Sequence, residues 1–385
     1  MSTLRSVGRR TMLSALALLM QTACTTAPAE ERVISAAADL LAARSVEGRF
    51  QNPSESPTVQ NTWQDVLSFW WKMTTASGEA VSPPVPHGHV LEQMQVIQSL
   101  GSLQSVETLT WLGHASFLIR IDGKVILTDP FLSEYASPVT VGPKRYVEPG
   151  IAPEQLPPID LLLISHNHYD HLDRRTLARL PHPERITAIV PVGLADSLRE
   201  FGFKEIRELT WGEATAFETL DVTAVPAIHF SGRGLFDKNK SLWAGFILSG
   251  RTARIYFAGD TGYHDRVFKR IREVFGPMDV ALVPIGAYEP GNLMSDIHVD
   301  PEQAVSLGRD LGAKTLVAMH WGTIVLASEP PFEPPMRFRA AGKTAGYTDG
   351  ALWTMQIGQT RALPPLDSEP ILRTAAGGDR MRRRP

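Results

Sequence analysis

One stretch of this chain restricts its fold more than any other: an apolar strand that runs directly into a group of metal-binding side chains. The stretch is DLLLISHNHYDHLD, residues 160–173. Within six residues it holds four candidate ligands, His166, His168, Asp170 and His171. Alternate side chains of an extended segment point to one side, so the first three can face one cavity, and a following helix would turn the fourth back toward it. Imidazole nitrogen and carboxylate oxygen suit zinc, and this spacing favours a metal site over a satisfied polar loop.

Further ligand candidates follow three later apolar runs, at 222–226, 255–258 and 316–319. They are His229, Asp260 and His320. Functional groups in α/β folds gather at the carboxyl ends of strands, which predicts that these side chains join the first cluster. A single histidine or aspartate at a strand end is more often structural. Together with the first cluster, however, the three complete two metal sites that share one carboxylate.

The pattern from about residue 106 to residue 360 predicts a layered α/β domain, because short apolar runs recur with helical or turn segments between them. Seven more predicted strands are 108–111, 117–121, 125–128, 161–165, 188–192, 244–248 and 281–285. Helices are predicted over 171–180, 194–201, 264–275 and 301–311. The last has the clearest ends, with Asp300 as N-cap, Pro301 in the first turn and Gly312 beyond its end.

The first 23 residues have the features of an export signal. An arginine pair precedes the apolar run 12–20, and small residues lead to Cys24, which matches a signal of twin-arginine or lipoprotein type. We therefore expect an exported protein on the periplasmic side of a bacterial cell envelope, anchored in the membrane through lipidated Cys24. An ordinary cleaved signal with an incidental cysteine is the alternative.

Residues 24–105 are predicted to be a tether and N-terminal extension. Within it, WQDVLSFWWKM at 63–73 has apolar positions at helical spacing, which indicates an amphipathic helix rich in tryptophan. That helix either docks on the domain core or lies at a lipid interface. His87 and His89 follow among prolines, and we expect a surface loop there. At the other end, 363–385 is predicted to be a disordered tail.

Composition excludes several classes of protein. A single cysteine cannot form an internal disulfide, and a formal net charge of −3 argues against a dedicated nucleic-acid binder. No apolar run approaches the roughly 20 residues that span a bilayer, so the chain is not a polytopic membrane protein. It also lacks a GxSxG elbow and a Walker loop, which argues against a serine hydrolase or a nucleotide-dependent enzyme.

The order HxHxDH, His, Asp, His resembles the metallo-β-lactamase superfamily, and within it the branch of N-acylphosphatidylethanolamine-hydrolysing phospholipase D and its bacterial relatives. The matching blocks are WLGHAS (111–116), LTDP (127–130), ASP…GPKR (136–145), LPPID (156–160), HNHYDHLD (166–173), FAGDTGY (257–263), PIGAYEP (284–290), HVDPEQAV (298–305) and HWGT (320–323). They cover about residues 106–340. The resemblance implies an α/β fold, the αβ/βα four-layer sandwich, over residues 106–362, with two metals in a cleft at its edge.

The resemblance also implies roles for single residues. It assigns one zinc ion to His166, His168 and His229 and the other to Asp170, His171 and His320, with Asp260 bridging both. The catalytic candidates are Asp170, Asp260, Asp129 and His298. Asp129 would orient a ligand through a hydrogen bond, and His298 would contact a substrate phosphate or transfer a proton. A turn carboxylate and a neighbour of the helix cap are the alternative roles of these two residues.

Substrate contacts are predicted at Tyr169, Lys144 and Arg145, the last two as exposed basic residues that would attract an anionic head group. For His114, the sequence supports a structural role and a catalytic role equally. The segment 229–243 departs from the family pattern and leaves the lipid substrate open.

The resemblance implies a zinc-dependent hydrolase of phospholipase D type. It would cleave N-acylphosphatidylethanolamine-like lipids to N-acylethanolamine and phosphatidic acid through a metal-bridging hydroxide. The first alternative is a lactonase, or a phosphodiesterase for small esters or cyclic nucleotides, on the same fold. The second is a non-catalytic, anchored metal-binding surface protein. The predicted partners are a phospholipid or small ester and a membrane surface, with no nucleic acid. Relatives that act on lipids suggest that this chain forms a homodimer.

Overall fold

The computed structural model describes residues 41–57, Ser68, Trp71, 82–234 and 236–364. The predicted signal 1–23 and Cys24 lie outside this part of the chain, as does nearly all of the predicted tail. Of the predicted helix 63–73 only Ser68 and Trp71 are described, and both have helical backbone. No helix in the described residues is long and apolar enough to cross a membrane.

Two seven-stranded mixed sheets form the domain, and a short two-stranded sheet of β1 (Arg44–Val46) and β2 (Arg49–Gln51) accompanies them. The first large sheet has the order β16-β3-β4-β5-β6-β7-β8, with β3 at Thr108–Gly113, β4 at Ser116–Ile121, β5 at Lys124–Thr128, β6 at Leu161–Leu163, β7 at Thr187–Pro191, β8 at Glu205–Leu209 and β16 at Thr360–Ala362. The second has the order β15-β14-β13-β12-β11-β10-β9, with β9 at Ala214–Phe217, β10 at Leu220–Val225, β11 at Gly245–Ser249, β12 at Arg254–Phe257, β13 at Val280–Pro284, β14 at Thr315–Met319 and β15 at Leu352–Trp353.

Helices connect many of the strands, and most of them pack on the outer faces of the two sheets. They are α1 (Gln93–Ser102), α2 (Arg174–Leu177), α3 (Asp265–Phe275), α4 (Gly291–Met294), α5 (Pro301–Asp310) and α6 (Pro334–Thr344). Side chains of β6 show the layering, because Leu161 and Leu163 join the core between the sheets while Leu162 joins a second core with Val96 of α1 and Leu177 of α2. Since side chains alternate along a strand, one short apolar strand serves both cores. This is the predicted sandwich of helix, sheet, sheet and helix layers.

The ten predicted strands are present to within one to two residues, and the predicted helices 264–275 and 301–311 are also confirmed. Asp300 closes a capping box with Gln303 at the start of α5. The predicted helix 194–201 is wrong, because this segment forms two 3₁₀ turns, Ala195–Ser197 and Arg199–Phe201. The Glu208 carboxylate of β8 accepts the N–H groups of Gly193 and Ala195 and holds the start of the segment against the strand.

Parts of the N-terminal extension pack on the large sheets. Leu41 is buried in the core between them, and the backbone N–H of Phe50 donates to Asn239. His87 is exposed as expected, but the expected surface position of His89 is wrong. Its ring lies 5.2 Å from that of Trp321 and 5.0 Å from that of Phe332, and its Nε2 is 2.6 Å from the Gly322 carbonyl. The boundary at residue 105 stays a prediction.

Candidate metal centre

Polar side chains converge where five strands end, at one edge of the sandwich. Asp129 follows β5, His166 to His171 follow β6, His229 follows β10, Asp260 follows β12, and His320 follows β14. Backbone hydrogen bonds continue the strands up to these positions; Asp129 N–H, for example, donates to Leu163. The strand ends therefore fix the backbone from which each side chain projects, as the sequence predicted.

Three imidazole nitrogens form the first group. His168 Nδ1 lies 2.8 Å from His166 Nε2 and 3.2 Å from His229 Nε2. His166 and His229 are buried, and His168 is half-buried. Three nitrogens at such short separations fit ligands that share one ion.

The second group joins a carboxylate to two imidazoles. Asp170 Oδ2 is 3.4 Å from His171 Nε2 and 3.6 Å from His320 Nε2. Asp260 lies between this group and the first: its Oδ2 is 3.1 Å from both His171 Nε2 and His320 Nε2, and 3.9 Å from His166 Nε2 and from His229 Nε2. The structure thus brings all seven predicted ligands together and places Asp260 between the two triads.

The residues present fit bound metal ions. Among the described residues, His171 Nε2, His320 Nε2 and Asp260 Oδ1 are buried atoms without a hydrogen-bond partner. An unsatisfied buried polar atom costs roughly 1–3 kcal/mol, and coordination to a cation would remove that cost. Nitrogen and carboxylate donors in groups of three are a zinc-type ligand set. The cluster is able to bind metal; the number of ions and their identity as zinc stay predictions.

Burial and neighbouring charges give the histidines of the two groups different pKa values. Burial lowers the pKa of His166 and His229 well below the usual value and that of His168 to about 4, so these imidazoles are neutral at pH 7 and ready to coordinate. Burial acts in the same direction on His320, but the Asp260 and Asp170 carboxylates outweigh it and raise its pKa to about 9. A metal ion binding there must displace a proton.

Asp129 orients ligands of both groups. Its carboxylate is fully buried and accepts from Ser165 N at 2.7 Å, from Ser165 Oγ at 2.5 Å and from His171 Nδ1 at 2.7 Å. Ser165 Oγ in turn lies 2.9 Å from His166 Nδ1. One carboxylate therefore holds His171 directly and His166 through a serine, leaving both Nε2 atoms free for a metal. The sequence predicted Asp129 in this place but missed Ser165.

His229 is held by two contacts that the sequence gave no reason to expect. Its Nδ1 donates to the Ile297 carbonyl at 3.0 Å, and its backbone N–H donates to Asn52 Oδ1 at 2.9 Å. Asn52 belongs to the N-terminal extension and also accepts from the Trp243 indole at 3.1 Å. No local sequence pattern links Asn52 to a residue 177 positions away.

His298 lies beside ligands of both groups, and His114 lies beside the second group. The His298 ring is 5.1 Å from that of His229 and 5.4 Å from that of His320, and burial lowers its pKa to about 4. His114 Nε2 is 2.8 Å from Asp170 Oδ2, and its ring centroid is 4.0 Å from that of His320. His114 is thus part of the cluster, and its place in the WLGHAS block was the signal for it.

The three predicted substrate contacts lie in different environments. The Tyr169 hydroxyl donates to the Arg233 carbonyl at 2.8 Å, and Lys144 pairs with Glu134 on the surface. The expected exposure of Arg145 is wrong, because only 6% of this residue is exposed. Its guanidinium points inward and donates to the backbone carbonyl of Val147 and to one in the loop that follows β5. Their roles in substrate binding stay predictions.

Comparison with known proteins finds several similar chains. The family model described as a beta-lactamase superfamily domain matches residues 124–321. An N-acyl-phosphatidylethanolamine-hydrolyzing phospholipase D from Caenorhabditis elegans is 38% identical over 237 residues, which are 59% of this chain and 67% of that protein. A mitochondrial protein of the same name from Saccharomyces cerevisiae is 36% identical over 257 residues, covering 65% of this chain and 55% of that protein.

A solved structure shares the fold. The isothiocyanate hydrolase from Delia radicum gut bacteria aligns with a TM-score of 0.53 and 21% identity, over 66% of this chain and 98% of that one. At that identity the likeness concerns the fold alone. The chain spans about half to two thirds of the length of the two phospholipases, so similarity to them covers the domain and not the whole of either protein.

Proposed function

This chain belongs to the beta-lactamase superfamily, and we propose that it is a metal-dependent hydrolase that cleaves a phosphodiester of the N-acylphosphatidylethanolamine type. One observation carries the proposal: two buried triads of metal-binding side chains face a single carboxylate, Asp260. The similarity to two phospholipases D of that specificity, at 38% and 36% identity, supports the substrate class.

His166, His168 and His229 would hold one ion, and Asp170, His171 and His320 the other, with Asp260 between them. Divalent ions such as zinc, when bound there, would lower the pKa of a water molecule to about 7 and would stabilise the charge on a phosphoryl group. Asp129 and Ser165 keep the coordinating nitrogens of the histidines turned toward the ions.

The chain's own polar groups at the site would orient the substrate. His298 is neutral at pH 7, and its Nδ1 has no hydrogen-bond partner among the described residues. A neutral imidazole N–H can donate to a phosphate oxygen of the substrate. His114 Nε2 contacts Asp170 Oδ2, the same oxygen that faces His171 and His320, and so orients this carboxylate.

The test is product analysis on a mixed panel of N-acylphosphatidylethanolamine, acyl-homoserine lactones and cyclic nucleotides, by mass spectrometry in ¹⁸O-labelled water. The proposal predicts N-acylethanolamine and ¹⁸O-labelled phosphatidic acid as products, lost with a chelator and restored by zinc. His166→Ala and Asp260→Asn should abolish turnover. His182→Ala is the matched control, because His182 is exposed and pairs with Glu184 away from the cluster.

Two outcomes would contradict the proposal. If the lactones or cyclic nucleotides were hydrolysed faster than N-acylphosphatidylethanolamine, the enzyme would act on a different substrate class. Undiminished turnover by the metal-free protein would contradict the proposal that hydrolysis depends on metal.

We also propose that the chain is exported and anchored in the bacterial envelope through Cys24, which would bring it to lipid substrates. The arginine pair, the short apolar run and the small residues before Cys24 support this. Cys24→Ser should release the protein from the membrane fraction of cells. An unchanged distribution between membrane and soluble fractions would contradict lipidation.

A further inference from the structure

Three ligand histidines have a partner for the ring nitrogen that faces away from the cluster. His171 Nδ1 bonds to Asp129, His166 Nδ1 lies beside Ser165 Oγ, and His229 Nδ1 donates to a backbone carbonyl. His320 differs, because among the described residues its Nδ1 is buried without a partner. Metal-binding histidines almost always donate this second N–H, since the bond fixes the tautomer and the ring orientation.

A small cavity lies beside His320. It has a volume of about 20 Å³ and is also lined by Tyr146, Trp321 and Glu329. The Tyr146 hydroxyl and Trp321 Nε1 are buried and, like His320 Nδ1, find no partner in the described part of the chain. A volume of about 10–15 Å³ accommodates one water molecule, provided that two to four polar groups surround it. The cavity is large enough for one water, and residues that carry such polar groups line it.

Glu329 supplies the acceptor that these donors lack. Its carboxylate accepts the N–H groups of Ala287 at 2.6 Å and Glu289 at 3.2 Å. A carboxylate has about four acceptor positions, so two remain for further donors. One water can accept from the His320 imidazole N–H and from the Tyr146 hydroxyl, and it can donate to the Glu329 carboxylate.

We infer that this cavity holds one ordered water that links His320 Nδ1–H to the Glu329 carboxylate, which makes Glu329 and Tyr146 positioning residues for a metal ligand. The bridge keeps the proton of His320 on Nδ1 and so leaves its Nε2 lone pair directed at Asp260 and the ion. The unusual backbone of His320, with φ at +62°, points the same way, since such a conformation persists where the surroundings enforce it. The inference concerns metal binding and is independent of the lipid substrate.

The experiment measures zinc affinity by chelator competition in the full chain carrying Tyr146→Phe or Glu329→Gln. Each variant should bind one of its two ions about 10–100-fold more weakly, the usual effect of losing such a partner, while the other ion is held as before. Tyr347→Phe is the matched control, because it also removes a half-buried hydroxyl, which donates to Ala313 at 2.9 Å, but far from the cluster. A high-resolution crystal structure should show the water within about 3.2 Å of His320 Nδ1 and of a Glu329 oxygen.

Three results would overturn the inference. In the first, Tyr146→Phe lowers thermal stability but leaves both zinc affinities unchanged, as a purely structural role requires. In the second, Glu329→Gln lowers the affinity for both ions equally. In the third, the crystal structure shows the cavity without a water and His320 Nδ1 bonded to a protein atom. Absence of lipid hydrolysis would not bear on the inference, because the readout needs no substrate.

Discussion

Replacing Asp129 with asparagine keeps the size of the side chain but substitutes a donor for one of its acceptor oxygens. In the native protein the carboxylate accepts three hydrogen bonds, two from Ser165 and one from His171 Nδ1. If the amide oxygen stays with the Ser165 N–H, the amide nitrogen must face His171 Nδ1. That ring nitrogen then becomes the acceptor and the proton moves to Nε2, the atom that should bind the metal.

The expected effect has two parts. Hydrogen bonds to a charged group contribute about 1.5–3 kcal/mol each, so the free energy of unfolding should fall by about 2–3 kcal/mol. The wrong tautomer of His171 should weaken metal binding about 10–100-fold, and the ion held by His166 should be affected less, because Ser165 relays the contact. Zinc affinity by chelator competition and unfolding in urea measure the two effects separately.

Asp173→Asn is the matched control for Asp129→Asn. The Asp173 carboxylate is also buried and accepts from Ser133 N at 3.0 Å, Arg175 N at 3.1 Å and the Thr176 hydroxyl at 2.5 Å. It should lower stability and leave zinc affinity unchanged. Equal losses of zinc affinity in both variants, or none in Asp129→Asn, would refute the assigned role.

Two further predictions concern the backbone and the N-terminal extension. A Cβ at Gly286 would lie 2.2 Å from the His320 carbonyl oxygen, so Gly286→Ala should destabilise the fold by about 1–3 kcal/mol and weaken zinc binding. Gly101→Ala is the control, because open space surrounds this position in α1, and it should be neutral or stabilising by about 0.5–1 kcal/mol. Equal melting temperatures of the two variants would contradict this prediction. Asn52→Ala removes an acceptor from His229 N–H and should cost about 1–2 kcal/mol and lower zinc affinity at that ligand's site. Unchanged calorimetric stability and zinc affinity would show that the extension does not support the centre.

Local pattern was enough to predict the strands that carry the site. Buried strands such as β6, β12 and β14 are short, mostly apolar runs, and each is followed within three residues by a ligand side chain, so the sequence indicated both the strand and its functional end. β8 and β9 were missed because they lie at the outer ends of the two sheets, where charged and exposed side chains interrupt the apolar pattern.

Contacts between distant segments were the part that the sequence could not provide. β16 pairs with β3 across some 250 residues, and Asn52 reaches His229 from the N-terminal extension. Arg145 resembles a surface cation in the sequence, yet its guanidinium is buried and donates to the carbonyl of Phe131, 14 positions earlier in the chain. Such pairs depend on topology, and periodicity along one segment contains no information about them.

Anomalous diffraction at the zinc absorption edge, from crystals of the zinc-loaded protein, tests the central claim most directly. The account predicts two peaks, one among His166, His168 and His229 and one among Asp170, His171 and His320, with the Asp260 carboxylate between them. A single peak, or peaks away from these side chains, would contradict it.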